Sequence, residues 1–393
     1  MALAIEDVQQ ALREDGLDGW LLYDFHGSNP IAARVSGLEG SSKLATRRWY
    51  YLIPAEGTPR GLVHAIERHN LDGLPGDKRP YAGREQLAAG LRDLLRGVRR
   101  VAMEYSPGNA IPYVSRVDAG TVEAVKDLGV AVVSSGDLVQ RFEAAWSDAM
   151  LRTHVAASER LYRIKDRAFE LIRASMQKGQ PLLETDVQSA MVGWFEEEGL
   201  VTDSPPIVAV QEHAGNPHYG PSRDAPRAVR HGEIVLLDLW GKLAETGAVF
   251  ADITWVGFTG QPVPEEYARA FSAVCEGRDA AVDLVESAVR EGRELRGFEV
   301  DRACRTVIEQ AGYGPRFIHR TGHSLGEHVH GNGVHMDDYE THDDRRLIPG
   351  TGFTIEPGIY TDRFGVRTEI NMFVGRREAR VTGERQQAIV ELV

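Results

Sequence analysis

The chain has 393 residues, of which 42% are hydrophobic and 26% charged, an ordinary globular balance with length enough for two domains. Its 45 basic residues stand against 58 acidic ones, a formal net charge of -13, and no basic run forms a phosphate-tracking stripe, which excludes nucleic acid as the expected partner. Cys275 and Cys304 lie in helix-like segments without the paired spacing of a thiolate metal site or a redox motif, so both are expected to be buried, reduced and structural. The start, Met1-Ala2-Leu3-Ala4-Ile5-Glu6-Asp7, reaches acidic residues before any signal-peptide core, and no stretch approaches the ~18 apolar residues of a membrane span. A soluble cytoplasmic protein with no membrane partner is the expectation.

In chain order, the first part alternates short apolar runs with helical patterns. Residues 20–23, 49–53, 101–104 and 130–133 read as strands. Between them, Leu87, Leu91, Leu94 and Leu95 share one face of a helix over 85–97, and Val122, Val125 and Leu128 share a face over 121–128, before Gly129 ends the turn. This predicts a small α/β domain over residues 1–140, and the pattern changes between Asp137 and Asp148. A second domain, 149–393, follows, with helices at 149–177, 185–199, 265–291 and 298–311 and strands at 206–211, 233–240, 249–258, 352–356 and 366–374. Helices and antiparallel strands in separate blocks predict an α+β class.

Two of these strands each carry one aspartate among apolar residues: Asp238 in Ile234-Val235-Leu236-Leu237-Asp238-Leu239-Trp240, and Asp252 in Val249-Phe250-Ala251-Asp252-Ile253-Thr254-Trp255. A buried carboxylate needs a partner. A simple hairpin centred on Glu245 would set Asp238 directly across from Asp252, where like charges repel unless a cation or a shared proton intervenes. Caps or surface pairs are the bland alternative. In Phe353-Thr354-Ile355-Glu356-Pro357-Gly358, period-two alternation puts Thr354 and Glu356 on one face and the Pro-Gly pair ends the strand. The same alternation in 366–372 groups Arg367, Glu369 and Asn371, for which an exposed face is the simple reading. The run His319-Arg320-Thr321-Gly322-His323-Ser324-Leu325-Gly326-Glu327-His328-Val329-His330 supplies nitrogen donors on a glycine-spaced loop.

Taken in order, Asp238, Asp252, the Gly322-His323-Ser324-Leu325-Gly326 turn, the Phe353–Gly358 strand and Arg367-Thr368-Glu369 resemble the metal-ligand series of the pita-bread metallopeptidases, the family of methionine aminopeptidase, aminopeptidase P, prolidase and creatinase. The resemblance covers residues 150 to 393. On architecture alone, residues 1–140 are similar to the N-terminal domain of the prolidase, aminopeptidase P and creatinase branch. It implies a pita-bread catalytic domain, two divalent cations and a homodimer. Residue by residue, Asp238 would bind one metal, Asp252 and Glu369 would bridge both, and His323 with Glu356 would complete the other. His218 and His330 match the histidines that hold substrate and stabilise the tetrahedral intermediate, and His319 and Arg367 sit where proline-specific members carry further active-site residues.

Three departures stand out. The aspartates are fourteen positions apart, more than is usual in the family, Ser324 replaces a common glycine, and Gly331 follows His330 where an acidic residue is frequent. The oxygen-rich donor set suits Mn2+, with Co2+ or Zn2+ also accommodated. The implied reaction is hydrolysis of the bond before proline in short proline-containing peptides, by a hydroxide bridging two metals with Glu356 as general base. The alternatives are metal-free creatinase-like hydrolysis of a guanidino compound, a non-catalytic binding module on the same fold, and a structural calcium site; the five ligands and the histidine argue against them.

Overall fold

The computed structural model describes residues 4–38 and 45–393, so the first three residues of the N-terminal segment read above lie outside the described residues. It falls into two compact units, Met1–Glu143 and Ala144–Val393. Among the described residues no helix is long and apolar enough to cross a membrane.

The first unit is a six-stranded mixed sheet between helices. Its elements run α1 (Ile5–Glu14), β1 (Gly19–Asp24), α2 (Pro30–Val35), β2 (Trp49–Pro54), β3 (Arg60–His64), β4 (Asp77–Tyr81), α3 (Arg84–Leu94), β5 (Arg100–Met103), α4 (Ala119–Lys126), β6 (Ala131–Ser134) and the short α5 (Gly136–Val139). The strand order is β4-β3-β2-β1-β5-β6. Central β1 is buried along its whole length, and its alternation divides the core. Trp20 and Leu22 pack with Val8, Leu12 and Ile31 of α1 and α2, while Leu21 and Tyr23 pack with Leu87, Leu91, Val122 and Val125 of α3 and α4. Sequence pattern misses β3 and β4. The first is short and holds a glycine, and the second, Asp-Lys-Arg-Pro-Tyr, is an exposed edge strand with a proline and no apolar alternation.

The second unit begins with α6 (Asp148–Lys178) and α7 (Glu184–Glu197), followed by β7 (Leu200–Val201), β8 (Ile207–Val210), β9 (Ile234–Leu243) and β10 (Ala251–Phe258). Ser147 caps α6 by accepting a hydrogen bond from the Met150 N–H at 3.2 Å. Then come α8 (Glu265–Glu291), α9 (Gly297–Gln310), β11 (Ser324–Leu325), β12 (Gly352–Ile355), β13 (Gly358–Tyr360), β14 (Gly365–Arg367), β15 (Ile370–Val374), β16 (Ala379–Val381) and β17 (Val390–Glu391). One sheet runs β17-β10-β9-β7 with β8 also on β9, another runs β11-β12-β15-β16, and β13 pairs with β14 alone.

Strand β9 is buried on both faces. Val235, Leu237 and Leu239 join Ile253 of β10 in a core with α6 and α7, whereas Ile234 and Leu236 join Val256 and Phe258 in a core shared with α8, α9 and the second sheet. Asp238 and Asp252 have the parity of the second set, so both point between the two sheets rather than toward α6.

The hairpin register differs from the simple expectation. Asp238 lies across from Thr254, and Asp252 lies across from Trp240. The strand predicted from residue 249 starts at Ala251 because the two preceding N–H groups bond elsewhere, Val249 to Thr153 Oγ1 at 3.2 Å and Phe250 to the Gly326 carbonyl at 2.9 Å. The shift is by two residues, so parity and therefore facing are preserved. The strand predicted over 366–374 is also broken: β14 pairs with β13, β15 pairs with β12, and Thr368–Glu369 form the step between them. Its polar face is not exposed, for Arg367, Glu369 and Asn371 are 3%, 2% and 2% accessible.

Because Leu237 is fully enclosed in the centre of the larger sheet, Leu237→Ala is expected to lower the unfolding free energy by about 2–5 kcal/mol in urea titrations. A loss below about 1 kcal/mol would contradict that central placement.

Candidate metal centre

Five segments deliver the predicted carboxylates and imidazole to one place. Asp238 and Asp252 come from β9 and β10. Glu369 reaches them from the β14–β15 step, where its N–H donates to the Thr254 carbonyl at 3.2 Å and its Oε2 accepts from Thr254 Oγ1 at 2.7 Å. Glu356 follows β12 immediately, and His323 precedes β11. Thr354 ties these last two together, since its Oγ1 accepts from the His323 N–H at 3.0 Å and lies 3.2 Å from Glu356 Oε1. Gly322 is required here: a Cβ on it would lie 1.9 Å from the Thr354 carbonyl oxygen.

Asp252, His323 and Glu369 each present one ligand atom such that the three lie within 4.8 Å of one another, all buried. His323 Nε2 is 3.6 Å from Asp252 Oδ2 and 3.5 Å from Glu356 Oε1, too far for strong hydrogen bonds. Its Nδ1 lies 3.2 Å from the Ser324 carbonyl, which accepts only from a protonated nitrogen, so the Nε2 lone pair faces the carboxylates. Burial holds this imidazole well below its ordinary pKa, with His330 and Arg320 adding to the effect.

With all its carboxyls ionised the cluster is unfavourable unless a proton or a cation compensates the charge. Burial, then the charges of Glu369, Asp238 and Glu356, push Asp252 well above the usual carboxylate range. Burial followed by Glu356 and Asp238 does the same to Glu369, and burial raises Glu356 to about 7. Asp238 is raised by burial against the pull of Arg367. Asp252 Oδ1 is enclosed and accepts no hydrogen bond from any described residue. An orphaned oxygen, an imidazole lone pair and three further carboxyl groups facing one another fit divalent cations by donor chemistry.

The other predicted residues are placed unequally. Arg367 is inside the cluster, paired with Asp238 Oδ2, and its Nε donates to Thr254 Oγ1 at 3.1 Å. His319 does not touch the carboxylates. Its Nδ1–H donates to the Arg320 carbonyl at 2.7 Å, and its Nε2 meets the Tyr360 hydroxyl at 2.8 Å, which also accepts from Arg367 Nη1 at 3.0 Å. Tyr360 therefore links His319 to Arg367 and Asp238, and Gly358 leaves it room, since a Cβ there would lie 2.2 Å from that hydroxyl. His330 is at the rim, its ring edge-on to His323 at 4.4 Å between centroids. His218 is exposed, on a loop whose Pro217 carbonyl lies 3.5 Å from Arg367 Nη1.

Sequence reading overlooks Thr254, Asn371 and Tyr360 as site residues. Asn371 imitates a neighbouring strand: its Oδ1 accepts the Asp252 N–H at 2.9 Å and its Nδ2 donates to the Asp252 carbonyl. It does so from β15, where it sits across from Thr354 of β12. Period-two alternation placed Asn371 on the face of Glu369, and that was the available signal; Thr254 and Tyr360 gave none beyond proximity to the ligands.

A carboxyl whose folded pKa lies above its unfolded value stabilises the fold fully below the unfolded value and loses that contribution as pH rises through the folded one. In a comparison of chelated with cation-supplied protein the histidines common to both cancel, and Glu356 sets the interval, its loss running from about pH 4.5 to about pH 7, with Asp252 and Glu369, raised by burial and neighbouring carboxyl charge, acting in the same direction. Chelator-treated protein is thus expected to melt progressively earlier across that interval than protein supplied with divalent cation, the gap widening with pH in scanning fluorimetry. A gap that stays constant would contradict the electrostatics described here.

Comparison with known proteins follows the same residues. The model of metallopeptidase family M24 matches residues 156–376. A probable dipeptidase PepE from Mycobacterium bovis is 30% identical over 243 residues, 62% of this chain and 59% of that protein. An Xaa-Pro dipeptidase from Lactobacillus delbrueckii subsp. lactis is 35% identical over 164 residues, 42% of this chain and 40% of its own. The match thus spans less than two thirds of either relative. The crystal structure of dipeptidase PepE from Mycobacterium ulcerans superposes with a TM-score of 0.68 at 23% identity, covering 99% of this chain and 96% of that one, a likeness of fold. With more than half of its length matched, and with the carboxylates and histidine of the site inside the matched span, the chain belongs to metallopeptidase family M24.

Proposed function

We propose that the chain is a dinuclear metallopeptidase that hydrolyses the peptide bond before proline in dipeptides or at the N-terminus of short peptides. The observation that carries this reading is the buried cluster of Asp252, His323 and Glu369 around the unpartnered Asp252 Oδ1, with Glu356 Oε1 3.5 Å from His323 Nε2 and the Asp238 charge acting on Asp252, in a member of a metallopeptidase family. The relative named Xaa-Pro dipeptidase supports the proline specificity.

In this proposal Asp238 would hold one cation, Asp252 and Glu369 would serve both, and His323 with Glu356 would complete the other. When bound, such a pair supplies Lewis-acid polarisation of the scissile carbonyl and a lowered pKa for water. The chain's own groups do the rest. Glu356, held at the cluster by Thr354 Oγ1, takes the proton of the attacking water and passes it to the departing proline nitrogen. His330 and His218, at the rim, donate to the carbonyl oxygen as negative charge develops on it. Arg367 fixes the Asp238 carboxylate while Tyr360 and His319 hold the guanidinium in place, so these three are positioning residues.

The hard, oxygen-rich donor set supports Mn2+, with Co2+ and Zn2+ as substitutes. Two buried free cysteines suit a reducing, cytoplasmic compartment, and the family resemblance supports a homodimer.

After loading with each metal, an Xaa-Pro dipeptide is expected to be cleaved at least about tenfold faster than the matching Xaa-Ala dipeptide. Comparison with Xaa-Pro-Yaa tripeptides then separates dipeptidase from aminopeptidase. At full metal occupancy, Glu356→Ala should lower kcat by about 10²–10⁴ and His330→Ala by about 10²–10³. Near-native turnover in Glu356→Ala protein would overturn the mechanism.

A further inference from the structure

Glu184, the first residue of α7, is 1% accessible. A carboxylate so enclosed is retained only if donors compensate its lost hydration. Its three donors among the described residues come from one short stretch of chain: the Val210 N–H at 2.7 Å, the Tyr219 hydroxyl at 2.6 Å, and His213 Nδ1 at 3.1 Å from each carboxyl oxygen. The His213 and Tyr219 rings lie against one another, with centroids 4.2 Å apart and planes 30° from parallel. This stretch carries His218. The histidine's neighbours are thereby fixed on both sides, Tyr219 by Glu184 and Pro217 by Arg367, while its own N–H donates to Asn216 Oδ1 at 3.1 Å. The exposed imidazole is left as the free tip of a clamped loop.

We propose that Glu184 is a positioning residue for His218, holding the loop of residues 210–219 so that the imidazole stands at the mouth of the carboxylate cluster. This rests on the reading of His218 as a substrate-facing group. A glutamine at this position puts an NH2 donor where one carboxylate oxygen stood, so the donor facing that atom must turn round to accept or lose its bond.

The test uses the metal-loaded full chain with Glu184→Gln, Tyr219→Phe and His218→Ala, singly and combined, assayed on an Xaa-Pro dipeptide. Glu184→Gln and Tyr219→Phe should each speed amide hydrogen exchange over residues 213–219 by about tenfold and lower kcat/KM by about tenfold at unchanged metal content. Built on His218→Ala, each should add less than about a twofold loss, because the two changes act on one group. Glu184→Gln protein whose loop exchanges at the wild-type rate, or whose loss multiplies undiminished on His218→Ala, overturns the proposal. Should His218→Ala alone keep wild-type turnover, the substrate-facing reading of His218 falls, and the exchange rates alone decide whether Glu184 clamps the loop.

Discussion

Asp238, Asp252, Glu356 and Glu369 bring four carboxyl groups into the protein interior, close enough for their charges to raise one another's pKa, against the guanidinium of Arg367. At an effective dielectric of about 20, two unit charges about 4 Å apart repel by about 4 kcal/mol, so several such pairs together are comparable to the whole stability of a domain. The surrounding structure has to supply either protons or cations and has to hold the groups in place while it does so. Much of the second unit is arranged to meet that demand.

The holding is done by backbone and neutral side chains. Thr254 sits across from Asp238 and bonds Glu369; Thr354 bonds the His323 N–H and lies against Glu356; Asn371 grips the Asp252 peptide from the next sheet. Such groups orient carboxylates without neutralising them, which leaves their charge for a cation. Arg367 is the exception. Its pairing with Asp238 and its link through Tyr360 to His319 tie the fixed positive charge to the Asp238 carboxylate. The two sheets are thus joined at the site by polar bonds and elsewhere by apolar packing around α8 and α9.

The rim follows a different logic. His330 touches His323 edge-on, and His218 is carried on a loop with one anchor in the cluster, Arg367, and one outside it, the buried carboxylate of Glu184. In the proposed reaction the rim groups meet substrate and must not be consumed by internal bonds, so their placement falls to neighbours such as Tyr219 and Pro217.

Local pattern was enough to identify the helices of the second unit, the strands of both aspartates, Glu356 at a strand end beside Pro-Gly, and the glycine turn around His323, because each depends on short-range periodicity or on backbone clearance. The period-two rule also carried through the two-residue register shift, since a shift of two leaves every side chain on its face. What pattern could not supply depends on non-local partners. Val249 and Phe250 leave the hairpin because Thr153 and Gly326 claim their N–H groups, and the 366–374 run breaks at Glu369 because its halves pair with different strands. For the same reason Arg367, Glu369 and Asn371, polar residues that read locally as a solvent face, are buried. Their facing residues come from a sheet more than a hundred positions earlier in the chain, and tertiary packing alone turns that polar stripe into the wall of a charged interior site.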